Sequence, residues 1–200
     1  PPLEFIPIAE KTKDIISIGN SIILQACDFI NKLKSLEYDE ICVSINISAI
    51  QLLHKGFVKN LLDMVKRKNV NPGSIILELT ESIFSSKLEE INTILGELNG
   101  YGIESSIDDF GTGYSSLSRE RDLYVNCLKI DKSFIDKLMF LKTEETITGI
   151  IISMAHILGH SVVAEGVEDK KQMQYLKAHG CDKVQGYLIS RPLDDEMAIE

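Results

Sequence analysis

Short segments rich in β-forming residues alternate with stretches of helical apolar spacing along the whole chain, and this alternation constrains the fold most strongly. Six strands are predicted, at Ile41–Ser48, Ile75–Glu81, Ile103–Phe110, Cys127–Asp131, Ser161–Val167 and Lys183–Ser190. Helices are predicted at Ile18–Leu36, Phe57–Lys68, Lys87–Asn99, Phe134–Leu138, Glu144–Leu158 and Lys170–His179. This order calls for parallel strands joined by right-handed crossovers. Six βα units fit either an open doubly wound sheet or most of a (β/α)8 barrel, and periodicity alone leaves both open.

The composition narrows the classes of function. Of the 200 residues, 44% are hydrophobic and 26% are charged, which is enough for one globular domain. A net charge of -9 argues against a nucleic-acid polymer as partner, so a phosphate substrate would require bound cations. The four cysteines lack metal-ligand spacing and the apolar runs are too short to span a membrane. We therefore expect a cytoplasmic location and no membrane contact by this segment.

Polar side chains recur near the C-terminal ends of the predicted strands. They are Asn46, Glu78, Glu81, Asp108, Asp109, Lys129, Glu165, Glu168 and Gln185. Taking one residue per strand, they are 20 to 36 residues apart, and a (β/α)8 barrel repeats roughly every 30 residues. A barrel brings its strand ends to one rim, whereas an open sheet spreads them along a line. We expect a shared site, although a single acid is more often a helix cap or a solvated loop residue.

A site with several converging carboxylates requires cations, because like charges repel and resist desolvation. Oxygen ligands favour Mg²⁺, Mn²⁺ or Ca²⁺ over zinc. The candidate ligands are Asn46, Glu78, Asp108, Asp109 and Glu165. Two such ions activate water and clamp the oxygens of a phosphoryl displacement, so phosphodiester hydrolysis is the favoured reaction class. Lys129 is a candidate for orienting that water or for neutralising charge on phosphate.

Neighbouring residues receive supporting roles. Strand alternation places Glu81 and Glu168 outside the metal ligands, so we expect them to hold loops or to support the ligands. Gly111 and Gly113 permit close backbone approach to a ligand, although this pattern also occurs in a simple tight turn. Asp131 is assigned to the turn after its strand.

The chain resembles the EAL-domain family of cyclic di-GMP phosphodiesterases from Leu3 to Leu193. Seven segments occur in the order and spacing of that family: EFIPIAE, SINISA, ELTES, DDFGTGYSSL, LKIDKSF, VVAEGVE and QGYLISRPL. The resemblance implies a TIM-like (β/α)8 barrel of EAL type, two Mg²⁺ or Mn²⁺ ions per complete site, and hydrolysis of cyclic di-GMP to linear pGpG in bacterial second-messenger signalling. It also implies a homodimer, with sensory or GGDEF domains elsewhere in a longer protein.

The resemblance also implies a role for each polar residue. The implied metal ligands are Asn46, Glu78, Asp108, Asp109 and Glu165, the last helping to hold the second ion. Lys129 and Gln185 resemble the pair that positions the water and completes the site, and together with Glu165 they are the predicted catalytic residues. Glu81 resembles the glutamate that secures the DFGTGYSS loop. Glu168 resembles a supporting acid in the same pocket.

The chain departs from the family pattern at two places. The EAL signature, with its metal-binding Glu, lies upstream of the EFIPIAE segment in the family. We therefore expect residues 1–200 to be an N-terminally incomplete EAL domain without the first two strands, weakly active or inactive by itself. Tyr124 and Asn126 stand where the family usually has Pro and Asp.

Three hypotheses for the function follow. The leading one is an active phosphodiesterase. The alternative is a catalytically degenerate EAL domain that acts as a cyclic di-GMP receptor or a protein-interaction module. An unrelated acid-lined TIM-barrel metalloenzyme is the third, and the DDFGTGYSSL segment argues against it.

Overall fold

The computed structural model describes residues 1–85, 87–111, 123–140 and 146–199. The chain divides into two compact units, here called the first and the second unit. They are Pro1–Leu79 with Ser86–Ser105, and Thr80–Ser85 with Ser106–Glu200. Each unit contains parallel strands with helices packed against them, as the alternation predicts. Within the described ranges, no helix is both long and apolar enough to cross a bilayer.

The first unit is built on one pair of parallel strands. Strand β1 (Val43–Asn46) lies beside β2 (Ile75–Thr80), with Val43 opposite Ile75 and Asn46 opposite Glu78. A 3-10 turn at Pro72–Ser74 leads into β2. The helices are α1 (Pro2–Thr12), α2 (Ile15–Ser35), α3 (Ala49–Leu52), α4 (Phe57–Arg67) and α5 (Leu88–Gly100).

Helix α2 shows how the first unit acquires its core. Its buried residues follow the i, i+3, i+4 spacing of one helix face and so form one stripe along the helix. They are Ile15, Gly19, Ile23, Ala26, Cys27, Ile30 and Leu33. Burying each large aliphatic side chain contributes about 1.5–3 kcal/mol. The stripe therefore holds α2 against the rest of the unit, including β1.

The second unit continues the alternation of strands and helices. From Ser106 onward β3 pairs in parallel with β4, β4 with β5, and β5 with β6. A 3-10 helix at Glu81–Ser85 belongs to this unit. The strands and helices are β3 (Glu104–Phe110), β4 (Cys127–Ile130), α6 (Lys132–Lys137), α7 (Thr148–Ile157), β5 (Ser161–Ala164), α8 (Lys170–Ala178) and β6 (Lys183–Val184).

Side-chain caps determine where two helices of the second unit begin. Asp131 accepts a hydrogen bond from the backbone amide of Ser133, so α6 begins at Lys132 and not at the predicted Phe134. Asp169 and Gln172 form a capping box at the start of α8. Both caps satisfy amides that the first turn of a helix leaves without partners.

Several predicted boundaries are wrong. The strand predicted at Lys183–Ser190 ends at Val184, because the chain turns and the amide of Ile189 bonds to the carbonyl of Gly186. The helix predicted to start at Glu144 starts, within the described residues, at Thr148. Helices α1 and α3 were not predicted. Helix α1 continues through the proline at position 7.

Candidate metal centre

Three carboxylates of the second unit lie together. Asp108 and Asp109 belong to β3, and Glu165 directly follows β5. One oxygen of each lies within 4.8 Å of the others. Two ligands of one divalent ion, each roughly 2.0–2.5 Å from it, are at most about 5 Å apart. The spacing and the all-oxygen donor set therefore fit a hard divalent cation.

A β-bulge allows two adjacent aspartates to share this cluster. Successive residues of a regular strand face opposite sides of the sheet. Ile107 lies opposite Leu128 and Phe110 opposite Ile130, so β3 carries one more residue than β4 across this interval. Asp109 has a left-handed φ of 56°, which Asp adopts more readily than most residues other than glycine. The irregular backbone thus brings both carboxylates to one place.

Lys129 joins two of the three acids. Its Nζ lies 2.7 Å from Oε1 of Glu165 and 3.1 Å from Oδ1 of Asp108. The Lys129 side chain is 6% exposed, and those of Asp108 and Glu165 are 17% and 18% exposed. Water screens charges weakly at such burial. Lys129 is therefore a strong positive partner of the cluster.

Crowding of the acids affects their protonation. Burial raises the pKa of Glu165; Lys129 opposes this rise and Asp108 adds to it. Burial also raises the pKa of Asp109, with further contributions from Asp108 and Asp131. The ionised form of both carboxyls is thus disfavoured, and a bound cation would relieve this condition. The electrostatics agree with the fit of a metal ion.

Asp131 is an electrostatic neighbour that sequence reasoning missed. Its Oδ1 accepts a hydrogen bond of 3.0 Å from the amide of Ser133, in agreement with the predicted turn. Its negative charge also contributes to the raised pKa of Asp109. The available signal was its position, two residues after Lys129.

Glu81 contacts Gly111, the residue that follows β3. The amide of Gly111 donates a 3.0 Å hydrogen bond to Oε2 of Glu81, which is 5% exposed. Gly111 has a φ of 94°, and a Cβ there would lie 3.0 Å from the ring of Phe134, so both features favour glycine. Gly113 lies outside the described residues. The contact is the one expected of a loop-holding Glu81, whose role stays a prediction.

Two predicted ligands lie side by side in the first unit. Asn46 is opposite Glu78, and the amide of Ile47 donates a 2.9 Å hydrogen bond to the Glu78 carbonyl. Neighbouring residues in parallel register project to the same face of a sheet. Glu78 is buried and Asn46 is exposed. The strand pairing brings these residues together, and their role as ligands stays a prediction.

Gln185 and Glu168 lie in loops that follow strands of the second unit. The backbone amide of Gln185 donates a 2.8 Å hydrogen bond to the carbonyl of Ala164. The backbone carbonyl of Gln185 accepts a 3.0 Å hydrogen bond from the amide of Val167. Oε1 of Glu168 lies 3.0 Å from Nζ of Lys132. The sequence did not predict this pairing of Glu168 with Lys132.

Comparison with known proteins identifies the family. The EAL domain profile matches residues 1–192. The chain belongs to the EAL-domain family. This EAL domain is 44% identical, over 196 residues, to the signaling protein YkoW of Bacillus subtilis (strain 168), covering 98% of this chain and 24% of YkoW. It is 35% identical, over 198 residues, to the bifunctional diguanylate cyclase/cyclic di-GMP phosphodiesterase MucR of Pseudomonas aeruginosa, covering 99% of this chain and 29% of MucR.

A solved structure shares the fold of this EAL domain. The MucR phosphodiesterase in complex with c-di-GMP matches with a TM-score of 0.93 at 35% identity, covering 99% of this chain and 80% of that one. The match confirms the predicted fold class, an α/β fold of TIM-like, EAL type. The chain spans about a quarter of the length of the curated relatives YkoW and MucR (24% and 29%).

Proposed function

We propose that this EAL domain provides the hydrolytic site of a metal-dependent phosphodiesterase that converts cyclic di-GMP to linear pGpG. EAL-domain homologues such as MucR are cyclic di-GMP phosphodiesterases. The observation that carries the proposal is the clustering of Asp108, Asp109 and Glu165, whose oxygens lie within 4.8 Å of one another. Crowded, partly buried carboxylates cost free energy unless a cation compensates them, which supports a metal-dependent reaction.

The proposed ligands of Mg²⁺ or Mn²⁺ include these three carboxylates. Asn46 and Glu78 are proposed as further ligands of a two-ion site, on the grounds of the family resemblance and of their adjacent positions on β1 and β2. When bound, a divalent ion lowers the pKa of its water and polarises a phosphoryl oxygen.

The other proposed catalytic residues act on the water and the phosphate. The buried ammonium of Lys129 offers positive charge to an oxygen that gains negative charge as the phosphodiester bond breaks. Its hydrogen-bond donors, together with the side-chain amide of Gln185, orient the attacking water. Homodimer formation and accompanying sensory or GGDEF domains stay predictions of the family resemblance, and a cytoplasmic location stays a prediction of the composition.

Incubation of the purified chain with cyclic di-GMP and Mn²⁺, followed by chromatography, tests the proposal. We expect at most slow formation of linear pGpG, in keeping with the weak activity predicted for residues 1–200, and we expect EDTA to abolish it. Glu78→Gln should slow the reaction by more than about 100-fold, because loss of a ligand should exceed the 10–100-fold effect of losing a ligand's hydrogen-bond partner. Glu89→Gln is the matched control, since Glu89 is an exposed acid of the same unit.

Binding of cyclic di-GMP at saturating Mn²⁺ without any pGpG, in a chain that also carries the EAL signature segment, would contradict the proposal and favour the receptor hypothesis. Independently of turnover, thermal unfolding with and without Mn²⁺ measures metal binding, since a ligand that binds the folded state raises the melting temperature. Absence of any Mn²⁺-dependent shift would count against the proposed metal site itself.

A further inference from the structure

A lysine side chain packs onto the loop that carries Glu165. The next residue, Gly166, has a left-handed φ of 66°. A Cβ at this position would collide with Cγ of Lys132 and lie 2.6 Å from its Cδ. The methylene stem of Lys132 therefore occupies the space that a side chain at position 166 would need.

The ammonium of Lys132 reaches the far end of the same loop. Nζ lies 3.0 Å from Oε1 of Glu168, and 2.7 Å from Oδ1 of Asp136, one turn further along α6. Exposed ion pairs like these contribute little to stability. The two pairs matter for the side-chain conformation of Lys132, because they favour the rotamer in which its methylenes contact Gly166.

The rest of the loop is anchored by hydrogen bonds. The Glu165 amide donates to the carbonyl of Ile130 at 3.1 Å. The amides of Glu168 and Asp169 donate to Oε1 of Gln172, at 2.8 and 2.9 Å. Gln172 is 2% exposed, and its Nε2 donates to the carbonyl of Ile135 in α6. The loop is thus fixed at Glu165 and at Glu168–Asp169. Between these ends, Gly166 is the residue with the most backbone freedom.

We propose that Lys132 is a positioning residue for Glu165. Its stem restricts the backbone at Gly166 and so sets the direction in which the Glu165 carboxylate enters the cluster with Asp108 and Asp109. Packing of the methylenes on Gly166 holds the stem in place, and the exposed ion pairs with Glu168 and Asp136 add a smaller contribution. This inference rests on the proposed metal-dependent function, because positioning of Glu165 matters through the ion that it holds.

Two kinds of variant separate the stem from the charge. Lys132→Met keeps a straight side chain over Gly166 and removes the ammonium, whereas Lys132→Ala removes both. Lys59→Ala is the matched control, because Lys59 makes a similar pair with Asp63, one turn along α4, at 2.6 Å. The Lys132 side chain is 45% exposed, so the variants are expected to fold. Lys132→Ser repeats the truncation independently.

The Mn²⁺ dissociation constant, measured by titration without substrate, is the first readout. We expect it to rise about 5-fold in Lys132→Ala and Lys132→Ser, somewhat less than the 10–100-fold effect of losing a ligand's direct partner. Lys132→Met should stay within about 2-fold of the wild type, and Lys59→Ala should be unchanged. At saturating Mn²⁺, Lys132→Ala should recover kcat with an unchanged KM for cyclic di-GMP, a recovery that a damaged fold would not show.

Two outcomes would overturn the positioning role: an unchanged Mn²⁺ dissociation constant in both truncations, or an equal loss in Lys132→Met and Lys132→Ala. The second result would mean that the charge and not the stem carries the effect. A wild-type chain that binds no Mn²⁺ at all is a distinct result, since it would reject the proposed metal-dependent function and this inference with it.

Discussion

The predicted ligands of the two units are presented by different backbone geometries. In the first unit, Asn46 and Glu78 are neighbours in the regular parallel register of β1 and β2. In the second unit, Asp108 and Asp109 occupy a bulge of β3. A regular strand points every second residue to one face, whereas a bulge delivers two consecutive residues to one site. The greater density of negative charge in the second unit therefore depends on an irregular strand, and Lys129 partly compensates it.

The largest effect is expected from Asp109→Asn, which removes one charge at the bulge and keeps a residue type that tolerates left-handed φ. Mn²⁺ affinity should fall by more than about 100-fold. Without metal the variant should be slightly more stable than the wild type. The reason is that the pKa of Asp109 is raised, so the folded chain loses stability as pH rises through that pKa, and the amide removes this loss.

Thermal unfolding with and without Mn²⁺ measures both effects of Asp109→Asn. Glu104→Gln is the control, because Glu104 is an exposed acid on the same strand. If Asp109→Asn keeps the Mn²⁺ affinity of the wild type, Asp109 is not a ligand. The bulge of the second unit then does not serve to deliver two consecutive ligands to one metal site.

An intermediate effect is expected from Lys129→Met, which leaves Asp108 and Glu165 without their positive partner. The free energy of unfolding should fall by about 2 kcal/mol at neutral pH, less than the 3–5 kcal/mol of a fully buried pair because the acids are partly exposed. Lys129 lowers the pKa of Glu165, which burial raises, so its removal raises that pKa further. In the folded variant, ionisation of Glu165 lowers the free energy of unfolding. This loss disappears at low pH, where Glu165 is protonated.

Urea unfolding at several pH values should therefore show the deficit of Lys129→Met shrinking towards acid pH. Lys68→Met is the control, because Lys68 pairs with Asp28 at 2.7 Å on the surface, where one partner is 61% exposed. Its effect should stay below about 1 kcal/mol. A deficit of Lys129→Met that is constant with pH would mean that lost packing, and not charge compensation, explains it.

The regular features of the molecule were predictable from sequence. The six strands and their polar ends follow from local periodicity, and the pairing of Asn46 with Glu78 follows from parallel register. The bulge was not predictable, because an extra residue in β3 becomes visible only against its partner β4. The contact of Lys132 with Gly166 was missed for a related reason, since it joins residues 34 positions apart through tertiary packing.

The smallest effect is expected from Glu81→Gln, which tests how far the bulge depends on the loop after it. Gln keeps an oxygen that accepts from the Gly111 amide and loses only the charge. Hydrogen bonds to charged groups contribute about 1.5–3 kcal/mol and neutral ones about 0.5–1.5 kcal/mol, so unfolding free energy should fall by about 1 kcal/mol. Mn²⁺ affinity should change less than about 3-fold, because pairing of β3 with β4 shapes the bulge.

Glu81→Ala provides the stronger comparison, because it removes the acceptor of the Gly111 amide altogether. If Mn²⁺ affinity falls in Glu81→Ala far more than stability does, the loop anchor and not the strand pairing sets the positions of Asp108 and Asp109. If Mn²⁺ affinity and the free energy of unfolding both fall modestly, the pairing of β3 with β4 is what shapes the bulge. In that case Glu81 acts on Gly111 without setting the bulge, in keeping with the anchoring role that its family resemblance implies.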